Sequence, residues 1–273
     1  MAIQLEDIEI ELLLQAIYLR WGYDFRDYAP ASLKRRIRRI VELEKLTSIS
    51  ALQERVLHES AFMQRFIDLL VVSVTSMFRD PGFYLSFREV VVPILRDLPV
   101  LRIWHAGCAT GEEVYSMAIV LQEEGLLERS VIYATDLDQG ALNTAKEGIF
   151  RVDEMKVYTE NYQSGGGKAA FSEYYQAGHD HVVLRRYLSK KIVWAQHNLV
   201  TDASFNEFHL ILCRNVLIYF NAQLQDRVQT LMFQSLAPGG VLILGRQERL
   251  RSTPHELNYQ VLDRREKIYQ RVK

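Results

Sequence analysis

The sequence predicts an α/β protein in which an all-helical N-terminal domain precedes a mostly parallel sheet. Three observations carry this expectation. From residue 100 onward short apolar runs alternate with helical patterns, as βαβ units do. The first of these runs, Leu101–His105, passes into a glycine turn and then a helix. Before residue 75 the apolar spacing is helical throughout.

In chain order, helices are predicted over Leu5–Trp21, Ala31–Lys45, Ile49–Leu57 and Ala61–Val72, with Pro30 suited to the opening turn of the second. A linking helix is expected over residues 81–99, with Pro81 at its start and Pro99 just past its end. Strands follow at Leu101–His105 and Val131–Ala134, each preceding a helix. The alternation breaks between Arg151 and His197: Ser164-Gly165-Gly166-Gly167 signals a flexible loop, and His181–Leu188 with Lys191–Gln196 reads as an antiparallel pair. A strand over Leu210–Leu212, a helix over Ala222–Leu236 closed by Pro238-Gly239-Gly240, and strands over Val241–Gly245 and Lys267–Arg271 complete the pattern. The expected domains are 1–75 (helical), 76–99 (linker) and 100–273 (α/β), with a β-insertion at about 160–196.

The chain has 273 residues, 48% hydrophobic and 25% charged, enough for one large or two smaller globular domains. A net charge of −1 gives no global pull toward nucleic acid. Glu6, Asp7, Glu9 and Glu11 break the N-terminal apolar stretch, and no apolar run approaches the ~18 residues of a membrane span, so a cytoplasmic protein without membrane insertion is expected. The two cysteines, Cys108 and Cys213, sit at strand ends and read as small hydrophobes; neither they nor the seven histidines show metal-ligand spacing, so no metal is expected.

The informative positions follow the strands, where open α/β sheets bind ligands. After the first strand, Gly107-Cys108-Ala109-Thr110-Gly111 lacks the G-x-G-x-x-G spacing of a dinucleotide site, and the acids Glu112 and Glu113 argue against a phosphate. Asp136 ends the second strand 25 residues beyond Gly111, near the offset at which such folds place an acid on ribose hydroxyls. Adenosine without phosphates, beside carboxylates that tolerate a cation, points to S-adenosyl-L-methionine. Cys213-Arg214-Asn215, followed by Tyr219, forms a third polar strand end.

GCATGEEVYS, ATDLD, HNL at His197–Leu199, CRNVLIYF and LAPGGVLILG resemble, in order, the motifs of the CheR family of chemotaxis receptor glutamate O-methyltransferases, over roughly residues 30 to 270. Ser73 to Asp80 resembles the segment joining that family's two domains. The resemblance implies a Rossmann-like class I methyltransferase domain with a small antiparallel β-subdomain. It also implies transfer of a methyl group from S-adenosyl-L-methionine to glutamates of a chemoreceptor cytoplasmic domain, releasing S-adenosyl-L-homocysteine. Methylating a carboxylate ionised near neutral pH needs alignment and no general base.

By the same resemblance Arg79 holds the incoming carboxylate through its bidentate fork and also borders the cofactor, while Tyr219 lies beside the transferring methyl. Thr75, Gly107, Glu113, Asp136, Asn198, Leu199, Arg214 and Asn215 match cofactor contacts, Asn198 and Leu199 by bracketing adenine. Glu112 is assigned to helix capping, although the sequence separates it poorly from Glu113, and Arg214 has a supporting role at the strand end as its alternative. Ser73 matches a further cofactor contact, at a position where the family often has asparagine. Lys34, Arg35, Arg36, Arg38 and Arg39 form a basic face on the second helix, read either as a solvated surface or, by resemblance, as the docking surface for a glutamate-rich receptor. The turn Gln176–Asp180 is shorter and less glycine-rich than in members that hold a receptor C-terminal peptide, so action independent of that peptide is expected. A non-catalytic cofactor-binding adaptor is the alternative to an enzyme.

Overall fold

A computed structural model describes residues 4–71, 75–250 and 255–272, and it divides into two compact units. The first contains the N-terminal residues to Val72 together with Val200–Asp202 and Leu217–Val228; the second contains Ser73–Leu199, Ala203–Val216 and Gln229–Lys273.

In the first unit, four helices appear where the apolar spacing places them: α1 (Leu5–Trp21), α2 (Pro30–Leu43), α3 (Ile49–His58) and α4 (Ser60–Leu70). Each buries one stripe, such as Leu33, Ile37 and Ile40 of α2 or Phe62, Met63, Phe66 and Ile67 of α4. Local chemistry sets the ends. Gly22 adopts the left-handed conformation that closes α1 and returns its N–H to the Tyr18 carbonyl, and Ser48 caps α3 by accepting the Ala51 amide.

The second unit opens with a linking segment that departs from the expected single helix. It consists of α5 (Pro81–Ser86), a π-turn over Phe87–Val91 and α6 (Val92–Arg96). Pro93 is the cause: it lacks an N–H and its ring crowds the preceding turn, so the backbone widens there.

The main sheet contains β1 (Leu101–Ala106), β2 (Ser130–Asp136), β6 (Ile192–Gln196), β7 (Phe208–Cys213), β8 (Leu236–Leu244), β9 (Tyr259–Asp263) and β10 (Ile268–Arg271). A separate small sheet has order β3 (Ile149–Arg151), β5 (His181–Leu184), β4 (Tyr175–Ala177). The main order is β6-β2-β1-β7-β8-β10-β9, parallel from β6 to β8, with β10 antiparallel to both its neighbours. Helices α7 (Glu112–Glu123), α8 (Gln139–Glu147), α9 (Met155–Ser164), α10 (Arg186–Ser189) and α11 (Ala222–Ser235) complete the order.

Two expectations are corrected here. Lys191–Gln196 does not pair with His181–Leu188; it forms β6, parallel to β2, while β5 pairs with β3 and β4. The separation is made by α10, which turns the chain between the two runs. Nor is the glycine run a loose loop. Gly167 returns its amide to the Tyr162 carbonyl at 3.0 Å, and the Tyr162 and Tyr174 hydroxyls converge on the Glu123 carboxylate at 2.5 and 2.9 Å.

The central strands are buried on both faces and so read as near-continuous apolar runs. On one face Leu101, Ile103, Ile132, Leu210, Leu212, Val241 and Ile243 pack with Met117, Ala118 and Leu121 of α7 and Phe83, Phe87 and Leu95 of the linking segment. On the other, Trp104 meets Phe205, Phe208 and His197.

Glu123 is 3% exposed at its side chain and also takes the Lys168 amide and the Arg88 guanidinium. Breaking such a buried pair strands a charge, so Glu123→Gln is predicted to cost about 3 kcal/mol or more in urea unfolding. An unchanged midpoint would show that the cluster contributes nothing.

Candidate active site

The strand order reverses at β1, which has β2 on one side and β7 on the other. This switch point is where a crevice opens beyond the strand ends. The three ends are in register: Ala106 lies opposite Thr135, and His105 opposite Leu212.

Beyond β1, Gly107 and Cys108 both donate their amides to the Thr135 carbonyl, and Ala109 donates to Asp136 Oδ2 at 2.7 Å. The turn is thus fastened to the end of β2. Gly107 (φ +80), Ala109 (φ 48) and Gly111 (φ +93) all take positive φ. A Cβ on Gly107 would stand 2.5 Å from Val216 Cγ2, so only glycine fits.

Asp136 is buried, and its other oxygen accepts the Asp138 amide at 3.0 Å. Burial raises its pKa, and the amides of Asp138 and Ala109 oppose that rise. Asp138 caps α8 by accepting from Gly140 and Ala141. His197 donates its amide to the Asp136 carbonyl, which brings Asn198 and Leu199 to the same strand end. Asn198 is half-buried and Leu199 buried.

Arg214 joins the remaining parts. Its side chain is 2% exposed, with Nη1 on Glu113 Oε2 at 2.8 Å, Nη2 on Asp80 Oδ2 at 2.9 Å, and the guanidinium 4.2 Å from the Phe83 ring centre. Glu113 Oε1 meets His105 Nδ1 at 3.1 Å. Glu113 therefore has a partner inside the protein on each oxygen, and Arg214 bridges Glu113 and Asp80 at the strand end. Glu112, assigned to capping, instead takes the Thr110 hydroxyl at 2.7 Å, and the N-cap residue Gly111 offers no side chain. Burial pushes the Glu112 carboxyl up.

Asp80 holds a left-handed conformation (φ 57), and its neighbours are anchored too: Phe78 donates its amide to Ser116 Oγ at 2.9 Å, and Asn161 donates to the Met77 carbonyl at 3.1 Å. Arg79 is half-buried between these fixed points, as is Thr75 earlier in the segment. Ser73 lies outside the described residues. Asn215 is also left-handed (φ 63), and its amide is taken by Glu248, which also takes the amides of Val216 and Gly245. Glu248 went unread in the sequence, since it belongs to no motif and stands 33 residues beyond Asn215. Cys108 and Cys213 are buried free thiols whose pKa values burial raises, as expected of packing residues.

Within the helical unit, Tyr219 is half-buried; its carbonyl accepts the Ala29 amide at 2.8 Å and its ring faces the Arg36 guanidinium at 4.5 Å. The basic face predicted on α2 is only partly free. Lys34 pairs with Glu6 and Asp7, Arg38 with Glu6, and Arg36 donates to the Leu70 carbonyl. Arg35 and Arg39 are exposed, and no described residue pairs with them.

The donor set fits an adenosyl ligand with a cationic tail: a glycine cradle, a buried carboxylate held by amides, and acids in place of a phosphate clamp. Together with a seven-stranded sheet whose one reversed strand lies between β8 and β9, it defines a Rossmann-like class I methyltransferase domain that uses S-adenosyl-L-methionine.

Comparison with known proteins specifies it further. Residues 73–266 match the CheR methyltransferase SAM binding domain, and residues 8–71 the CheR methyltransferase all-alpha domain. Cher3 of Pseudomonas putida is 46% identical over 265 residues, covering 97% of both chains. The chemotaxis protein methyltransferase of Listeria monocytogenes is 31% identical, covering 84% of this chain and 85% of its own. An uncharacterized 104.1 kDa protein of Rhodobacter capsulatus is 29% identical over 96% of this chain, which spans 27% of that protein's length. The chain belongs to the CheR methyltransferase family.

Burial raises the Glu113 carboxyl, but Arg214 and His105 outweigh it and hold it at about 2. A folded pKa below the unfolded one stabilises the fold above about pH 4.3, and that stability is lost as pH falls toward 2. Glu113→Gln is therefore predicted to flatten the acid limb of stability against pH by about 3 kcal/mol in urea titrations between pH 5 and 2. Asp136, raised by burial, acts with the opposite sign, so an unaltered limb in the variant would transfer the acid loss to other carboxylates.

Proposed function

We propose that this methyltransferase forms methyl esters on glutamate side chains of chemoreceptor cytoplasmic helices and releases S-adenosyl-L-homocysteine. The observation that carries the reading is the state of the carboxylates at the strand ends. Asp80, Glu113 and Asp136 are each engaged by a guanidinium, an imidazole or backbone amides, and Glu112 by the Thr110 hydroxyl. A nucleophile that still carried a proton would need one of them as a base. A glutamate substrate, already ionised, needs none.

Bound S-adenosyl-L-methionine would supply an electrophilic methyl group on a sulfonium, which a carboxylate oxygen would take as the sulfur departs with the electron pair of the broken bond. This chain's residues then have three tasks. Asp136 orients the ribose hydroxyls, while Asn198, Leu199 and Asn215 border the base and tail. Arg79, set in place by its anchored neighbours, offers two parallel N–H groups to a carboxylate. Desolvation and alignment supply the rate, and well-oriented pairs reach effective molarities of about 10⁵ M or more. Arg35 and Arg39, one helical turn apart on α2, provide a cationic stripe for a glutamate-rich helix.

Incubating the protein with methyl-labelled cofactor and receptor-bearing membranes is expected to give protein-bound label that mild base releases as methanol. Omitting the receptor's C-terminal residues is expected to leave transfer intact, in keeping with the short β4–β5 turn. Arg79→Ala is predicted to abolish transfer by about 10²-fold or more with cofactor binding preserved; lost binding would move Arg79 to the cofactor. Base-stable label would overturn ester formation.

Reversing both charges, Arg35→Glu with Arg39→Glu, is predicted to raise the receptor KM in a salt-dependent way and leave the cofactor KM unchanged. A cofactor effect instead would make this face structural.

A further inference from the structure

We infer that Glu248 is a positioning residue for cofactor binding, acting through the backbone of Asn215 and Val216. The inference rests on the proposal that Asn215 borders the cofactor. Glu248 follows β8, is 5% exposed, and turns its side chain toward the exit of β7. Oε1 accepts the Val216 amide at 2.8 Å; Oε2 accepts the Asn215 amide at 2.9 Å and the Gly245 amide at 2.5 Å. Its own amide returns to the Gly245 carbonyl at 2.8 Å.

Consecutive N–H groups around a left-handed residue form a concavity that binds an anion. Asn215, at φ 63, supplies such a concavity, and the Glu248 carboxylate is the anion that fills it. The fit leaves no slack: a Cβ on Gly245 would stand 2.7 Å from Glu248 Oε2 and 2.8 Å from the Asn215 nitrogen. Val216, held by the same carboxylate, is the residue whose Cγ2 closes on Gly107. One side chain from the end of β8 therefore sets both the conformation of Asn215 and the spacing between the β7 exit and the glycine turn of β1. A carboxylate is required because it only accepts; an amide would turn a donor toward an N–H.

Glu123 provides the control, being a carboxylate of the same unit with a buried side chain that gathers hydroxyl, amide and guanidinium donors away from the strand ends. The experiment compares Glu248→Gln, Glu248→Asp, Asn215→Ala and Glu123→Gln, reading the S-adenosyl-L-homocysteine Kd by calorimetry, both KM values and the urea midpoint. Glu248→Gln is expected to raise the cofactor Kd and KM by about tenfold or more, with the receptor KM unchanged. Glu248→Asp, which keeps the charge but withdraws it by one methylene, is expected to fall between, and decides the matter if the Gln variant does not fold. Glu123→Gln is expected to lose stability with an unaltered cofactor Kd. Both Glu248 variants binding cofactor normally while Asn215→Ala binds weakly would overturn the inference and leave the Asn215 reading standing. Normal binding by Asn215→Ala would overturn that reading and this inference with it.

Discussion

The buried guanidinium of Arg214 is the constraint on which the site's geometry depends. A charge with 2% of its side chain exposed is expensive in a low-dielectric interior, and two carboxylates, Glu113 and Asp80, meet that cost from opposite sides. The network continues from Glu113 to His105 through a hydrogen bond and from Asp80 to Arg246 and Glu266 through ion pairs. Each member belongs to a different segment: the end of β1, the first turn of α7, the exit of β7, the linker before α5, the exit of β8 and the turn before β10. A network of this kind contributes little net stability compared with a well-packed apolar cluster. Its effect is specificity, because any displacement of one segment strands a buried charge.

Two devices meet on consecutive residues. Arg214 is fixed through its side chain, and Asn215 through its backbone by Glu248. Asn215 is left-handed, a conformation that costs a non-glycine residue about 1 kcal/mol or more. Phe78, Asp80 and Ala109 share that sign of φ. Such strain persists only where surrounding bonds over-determine it, and here those bonds can be named: Ser116 on Phe78, Arg214 on Asp80, Asp136 on Ala109 and Glu248 on Asn215.

Much of this was legible in the chain because strand ends announce themselves. An apolar run that stops at Gly107, Asp136 or Arg214 marks both a strand and its functional end, and the four helices of the first unit followed from apolar spacing alone. What escaped was tertiary. The partners of Lys34 and Arg38 lie on α1, so five bases within six residues gave no sign that, of these, Arg35 and Arg39 find no partner among the described residues. Glu112 and Glu113 differ by a 100° step around α7 that sends one to Thr110 and the other to Arg214. The strand partner of β6 depends on where α10 sends the chain, and β9, with Gln260 and Val261 exposed, lacks the apolar run that betrays a central strand.

These differences bear on how the site works. Glu113, with Arg214 on one oxygen and His105 on the other, fixes where Arg214, and so Asn215, stand. Asp136, at the end of β2, has an amide on each oxygen as well; burial disfavours its ionised form and those amides favour it. Under the proposal that Asp136 receives the ribose hydroxyls, those hydrogen bonds would favour the ionised form further, so that cofactor binding and Asp136 ionisation would each strengthen the other.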